Sequence, residues 1–236
     1  MQERLIVGGW VLVRPTPTAP CQGTTLPPLL WSISDCIQDE LPRPDPWLGD
    51  WFQDEAEAVR AAANVTGEMP RVVTVALVPE DAVDLMAGED AESSPWFDLL
   101  RQQVALDAGR YVHGFEVVGA EHYVDVHSWH CHRYADEVWE KLGIHTNDKG
   151  LIPTYAEAQA VLTWMCNLPD SEAPEPCFWT IVALAEGEIA VPTVPYRAET
   201  ESLAPGTFTP SAPPVGVRSN SVPARVREWL KGLGSA

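Results

Sequence analysis

The sequence predicts an α/β (or α+β) fold built as two similar lobes, and three observations predict it. Apolar, β-branched runs alternate with segments of helical period. The order of those elements recurs after about one hundred residues, the mark of an internal duplication. Past residue 190 the composition turns to Pro, Ser and Thr with few large apolar residues, as a strap or linker does.

The first element is the apolar run Arg4 to Arg14, where Gly8 and Gly9 inside a strand pattern predict a bulge or a close backbone approach. Pro15, Pro17 and Pro20 end it. A short helical stretch at Leu29 to Ile37 follows, then a helix over Gln53 to Val65, with Ala56, Val59 and Ala63 at helical spacing and Asp54 and Glu55 in the first turn. Arg71 to Val78 reads as a buried strand. Ser94-Pro95 predicts a cap and first turn for a helix that Gly109 ends. Tyr111 to Ala120 is the next strand and Ser128 to Leu142 the next helix, with Gly143 past its end. The box Thr154-x-x-Glu157 opens a helix from Tyr155 to Cys166, and Cys177 to Ala185 is the last long strand.

Set side by side, Glu57-Ala58-Val59 aligns with Gln159-Ala160-Val161, and Val73 to Val78 with Trp179 to Leu184. The expected organisation is an N-terminal lobe over residues 1–92, a linking helix over 93–110 and a C-terminal lobe over 111–190. A linker over 191–222 and a short basic amphipathic helix over 223–236 complete it. In that last segment Val226, Trp229, Leu230 and Leu233 share one face, with Arg225, Arg227 and Lys231 on the polar side. Helices between strands favour crossover connections, with the lobes side by side or sharing one sheet.

Hydrophobic residues at 45% and charged ones at 21% exclude a disordered chain. The longest apolar runs are strand-sized, far below the roughly 20 residues of a membrane helix, so no membrane partner is expected. Five cysteines, none in a Cys-x-x-Cys pair, suit free thiols and a cytoplasmic location. Arginine far exceeds lysine (Lys141, Lys149 and Lys231 are the lysines), which fits a high-GC bacterium or its phage.

The formal charge is −19. The segment from Arg197 onward is slightly basic, so the body carries the whole excess of carboxylates. Like charges then keep nucleic-acid phosphates away from the body and favour a basic protein partner. Ten tryptophans are many for this length. Trp47 and Trp51, beside Asp50 and Asp54, have the composition of an aromatic anchor ringed by carboxylates, and Trp229 offers a second contact. The bland alternative is that these tryptophans close over their own core.

All six histidines fall between His113 and His145, densest in His127-Ser128-Trp129-His130-Cys131-His132. On a helix His127 and Cys131 would share a face, so zinc could be held by that pair with His122 or His145 from nearby loops. The competing expectation needs no cofactor: Ser128 caps a helix, Trp129 and Cys131 pack inward, and the histidines lie at the surface or are hydrogen-bonded. A thiol made nucleophilic by His127 is the related enzymatic alternative. Glycine-rich phosphate loops and a Gly-x-Ser-x-Gly elbow are missing from the sequence.

The stretch His127-Ser128-Trp129-x-Cys131, followed by Leu142-Gly143-Ile144, Asn147, Gly150-Leu151-Ile152 and the helix from Tyr155, resembles a segment of uncharacterised actinobacterial proteins. The resemblance spans about fifty residues around His127 to Cys166 and implies no activity. Taken together, the sequence favours a non-enzymatic interaction factor of inhibitor, immunity or adaptor type, including a form that mimics nucleic acid. The alternative is a metal-dependent or cysteine-based enzyme centred on His127 and Cys131.

Overall fold

A computed structural model describes residues 4–14, 29–38, 41–42, 51–88, 97–121, 125–132, 134–169, 172–174 and 176–187. The expected linker and terminal helix lie outside these residues, as does the Ser94-Pro95 cap.

The chain forms β1 (Ile6–Val13), α1 (Asp35–Gln38), α2 (Glu55–Ala63), β2 (Arg71–Leu77), α3 (Pro79–Gly88) and α4 (Phe97–Gln102). Then come β3 (Tyr111–Glu121), β4 (Asp125–Ser128), a 3-10 turn at Trp129–His132, α5 (Tyr134–Leu142), α6 (Tyr155–Cys166) and β5 (Phe178–Glu186). The five strands make one sheet in the order β1-β2-β5-β3-β4. Each neighbouring pair is antiparallel, so β2 and β3 run in the same direction, as do β4 and β5, and the expected crossovers, through α3 and α4 and through α5 and α6, each skip one strand of the sheet.

Both sheet faces are covered. On one, Val11, Val13, Val73, Val75, Val182 and Leu184 pack against Ala82 and Leu85 of α3, Leu100 of α4, and Trp31, Trp51 and Leu151 from the connections. On the other, Ala58 and Ala62 of α2 cover Leu12, while Val138 of α5 and Ala158, Val161 and Met165 of α6 cover Val117 and Ile181. Burial on both sides explains why β2 and β5 read as continuous apolar runs. No described helix is long and apolar enough to cross a membrane.

Two strand pairs repeat one geometry. β1 bulges between Val7 and Gly9 against β2, and β3 bulges between Val112 and Gly114 against β5. Gly9 and Gly114 take φ of 155° and 154°. Trp10 exchanges two backbone hydrogen bonds with Phe52 (2.9 and 2.7 Å), and Phe115 does so with Ile152 (both 2.8 Å). Two residues after each bridge stands a helix cap: Asp54 accepts from the Glu57 amide at 2.8 Å, and Thr154 from the Glu157 amide at 3.2 Å. Gly9 pairs with Val75 and Gly114 with Leu184, and Val75 and Leu184 face each other. Thr74↔Ala185 and Ala76↔Ala183 flank that pair symmetrically.

The equivalences differ from those read in the sequence. Val73 matches Val182 rather than Trp179, and Glu57 matches Glu157 rather than Gln159, because the bulge and the cap set the register, not the apolar composition. Helix α4 stops at Gln102, with Gln103 at φ 49°, well before Gly109. The chain then runs along β1: Val7 donates to the Val104 carbonyl, Leu106 to that of Leu5, and Ala105 bridges Ile6. Residues 125–128, expected to begin a helix at Ser128, instead pair with β3 as β4.

At Gly9 an added Cβ would stand 2.8 Å from the Trp51 Cβ and 2.9 Å from the Phe52 carbonyl. At Gly114 it would meet the Leu151 Cβ at 2.7 Å and the Ile152 carbonyl at 2.9 Å. Gly9→Ala and Gly114→Ala should each cost about 2–3 kcal/mol by urea unfolding, from overpacking plus an unfavourable φ. Gly67, at φ 94° with nothing within 4 Å, should lose less on the same change.

Candidate functional site

The histidine-rich stretch is split between a strand and a turn. His127 lies in β4 opposite Gly119, whereas Cys131 lies in the 3-10 turn with its Sγ 3.4 Å from Ser34 Oγ. The shared helical face expected for His127 and Cys131 is therefore absent. His145 sits after α5 with its ring centroid 5.4 Å from that of Trp139. His122 lies outside the described residues. Among the described residues no group of three or more His, Cys, Asp or Glu side chains could hold a metal ion.

Trp129 packs inward as expected, and Ser128 caps the short 3-10 turn rather than a long α-helix. Its hydroxyl donates to Glu116 Oε1 at 2.6 Å and accepts from the His130 amide at 3.2 Å. His130 is buried and hydrogen-bonded, one of the two states expected for these histidines, with Nε2 2.9 Å from the Gly150 carbonyl, to which it donates. Burial pushes its pKa down to about 4, outweighing the opposing hydrogen bond, so the ring is neutral.

Glu116, midway along β3, is fully buried. Besides Ser128, its Oε1 accepts from Ser32 Oγ at 2.5 Å, and its Oε2 accepts from the Ile33 amide at 3.0 Å. The carboxylate thus ties residues 31–34 to the sheet. Asp35 extends the tie by accepting from the Val126 amide at 2.7 Å, and the Gln38 side chain makes paired bonds with the backbone of Arg14 at 3.0 and 3.1 Å. This polar lock escaped the sequence reading. Its one visible signal was a carboxylate inside an otherwise apolar strand.

A second polar group marks the β3 bulge. His113 Nε2 lies 3.2 Å from Glu186 Oε2, Arg71 pairs with Glu186 at 3.1 Å, and the His113 ring lies 4.4 Å from Trp31 and 4.9 Å from Tyr111. Burial lowers the His113 pKa against the raising effect of Glu186. The corresponding positions of the β1–β2 pair are Gly8 and Leu77. A cleft of about 520 Å³ elsewhere is lined by Arg4, Val78, Pro79, Glu80, Tyr155 and Gln159. Tyr155 is held there by donating to Asp81 at 2.9 Å.

The expected aromatic anchor is only partly described. Trp51 is 2% exposed and packs on Gly8 and Gly9, so it belongs to the core and not to a partner surface. Asp54 is spent on capping α2. Trp47, Asp50 and Trp229 lie outside the described residues. Among the described residues the tryptophan that faces solvent is Trp139 on α5, 59% exposed, with Asp136 and Glu140 also exposed on that side of the helix. Tyr134 and Val138 bury the opposite side, and Lys141 lies 5.2 Å from the Trp164 ring. Periodicity could have found this residue, since Tyr134 and Val138 fix the inward face and leave Trp139 off it.

Comparison of the chain with protein-family models, with curated proteins and with solved structures found no match.

Two predictions concern the buried polar groups. His130 has its folded pKa lowered, so the unfolded chain takes up a proton near pH 6.5 while the folded chain does so only near pH 4. Stability is therefore lost as pH falls between those values. This residue alone should contribute a loss of about 2 kcal/mol between pH 7 and pH 5. Urea titrations of wild type and His130→Gln should show that slope diminished in the variant. Glu116→Val, which copies the residue at the matching place in β1 (Val11), should cost about 3 kcal/mol or more, because it leaves Ser32, Ser128 and the Ile33 amide without their acceptor.

Proposed function

We propose that this chain is a non-enzymatic, acidic interaction factor that binds a basic protein, as an inhibitor, immunity or adaptor protein does, and that it acts in the cytoplasm of a high-GC bacterium or its phage. The supporting observation is how the charges are spent. Arg71, Arg101, Arg110, Lys141 and Lys149 each pair with a carboxylate. Glu57, Glu68, Glu80, Asp84, Asp136, Glu140 and Glu172 remain exposed, with no ion pair among the described residues. With 34 carboxylate residues against 15 arginines and lysines, the surplus is not neutralised within the fold. Such a field speeds encounter with a cationic surface and repels polyanions. Mimicry of nucleic acid, with carboxylates in place of phosphates, is the form of this reading in which the basic partner is itself a nucleic-acid-binding protein.

The fold also supports an origin by duplication, in which β1-α2-β2 and β3-α6-β5 descend from one unit. The shared bulge, bridge, cap and pairing register are four coincidences that a generic α/β alternation does not require.

Immobilised full-length protein challenged with a bacterial lysate should retain proteins of isoelectric point above about 9 at low salt and release them at high salt. Retention of acidic and basic proteins alike, or retention indifferent to salt, would overturn the reading.

A further inference from the structure

Exposed carboxylates occur on α2, α3 and α5, so charge alone draws a cation toward the body without selecting where it rests. Selection needs a local anchor, and a large aromatic side chain held in place at the surface is the usual one. Trp139 supplies it. Asp136 lies one turn earlier on α5 and Glu140 lies beside it, both exposed. The His145 ring braces the indole at 5.4 Å and 48°, and Leu142, 38% exposed, continues the apolar surface one turn later. Val138 is fully buried and Tyr134 nearly so, which fixes the rotation of α5 and therefore the outward aim of Trp139. A tryptophan left 59% exposed has a cost that burial against a partner would remove.

We propose that Trp139, Asp136 and Glu140 form a docking site for an arginine side chain of a basic protein partner. The inference rests on the acidic-factor reading and deepens it by naming the place and the residue recognised. Charge complementarity selects a cation, and the indole face attracts it further through its quadrupole. The protein already uses this chemistry internally, with Lys141 5.2 Å from the Trp164 ring and Lys149 5.6 Å from that of Trp31. Arginine is preferred over lysine because a planar guanidinium stacks on the indole while its edge donates to flanking carboxylates, whereas an ammonium is a hydrated point charge.

The test uses the full chain, an arginine-rich peptide of about eight residues and its lysine counterpart, with affinities from calorimetry at low salt. The arginine peptide should bind more tightly than the lysine peptide. Trp139→Ala should weaken it about tenfold or more, and Trp139→Phe should restore part of that loss. The pair Asp136→Asn with Glu140→Gln should weaken binding more than Glu57→Gln with Asp84→Asn, a change of equal charge on other helices. Thermal melting of each variant checks folding, which substitution of an exposed residue should leave near wild type. Salt-sensitive binding that ignores Trp139 and treats the two neutralised pairs alike would overturn the site while leaving the acidic-factor reading standing. Absence of any binding to either peptide would overturn both.

Discussion

The whole architecture hangs on the antiparallel pairing of β2 with β5. It joins the two strand pairs into one sheet through three matched positions centred on Val75 and Leu184. One face of this seam carries only small or β-branched residues, Thr74, Ala76, Ala183 and Ala185, all buried, while Val75 and Leu184 lie on the other. Small side chains leave room for cover on that face, and Arg110 reaches Thr74 at 2.6 Å while bonding Glu55 at 2.5 Å. A larger residue in place of Ala76 or Ala183 would have to displace that cover, since packed interiors do not absorb extra volume freely.

Around that seam the two strand pairs act as internal controls for each other. Where β1 has Gly8, Val11 and β2 has Leu77, β3 has His113, Glu116 and β5 has Glu186. The backbone is the same, so these polar residues are not demanded by the geometry of the bulge. They are demanded by what lies over the second pair. Residues 31–34 run across β3 and offer Ser32 and the Ile33 amide to Glu116. The polar residues of one strand pair are thus matched by donors brought from the connection that leaves β1, and the two pairs depend on each other for hydrogen-bond satisfaction.

The strands were the most legible elements because β-branched runs bounded by proline and glycine have few other interpretations. Gly8 and Gly9 announced the bulge, and Thr154 with Glu157 announced α6. Helix α3 went unread although Pro79, Glu80 and Asp81 make an ordinary first turn, because it follows β2 with no intervening loop. The stretch from His127 to His132 misled for a physical reason. Helical spacing was assumed for residues whose first members pair with β3, and strand pairing is a long-range choice invisible in a window of six residues. Trp51 misled because an acidic sequence neighbourhood says little about burial once the chain turns at Phe52. Of the candidate surface, Trp139 and His145 are neighbours only through the turn at Gly143, whose φ of 67° brings the chain back.

The buried carboxylate at position 116 also bears on how the chain finds its fold. Two strand pairs with one bulge pattern invite swapped partners, in which β1 would seek β5 and β3 would seek β2. Such an arrangement would keep the backbone ladder, and Ser128 would stay with Glu116 because β4 pairs with β3, but the donors Ser32 and the Ile33 amide belong to the connection after β1. A core charge without donors is far more costly than a misplaced valine. The single acidic residue therefore adds to the fold a requirement, donors supplied from the connection after β1, that hydrophobic burial alone does not impose.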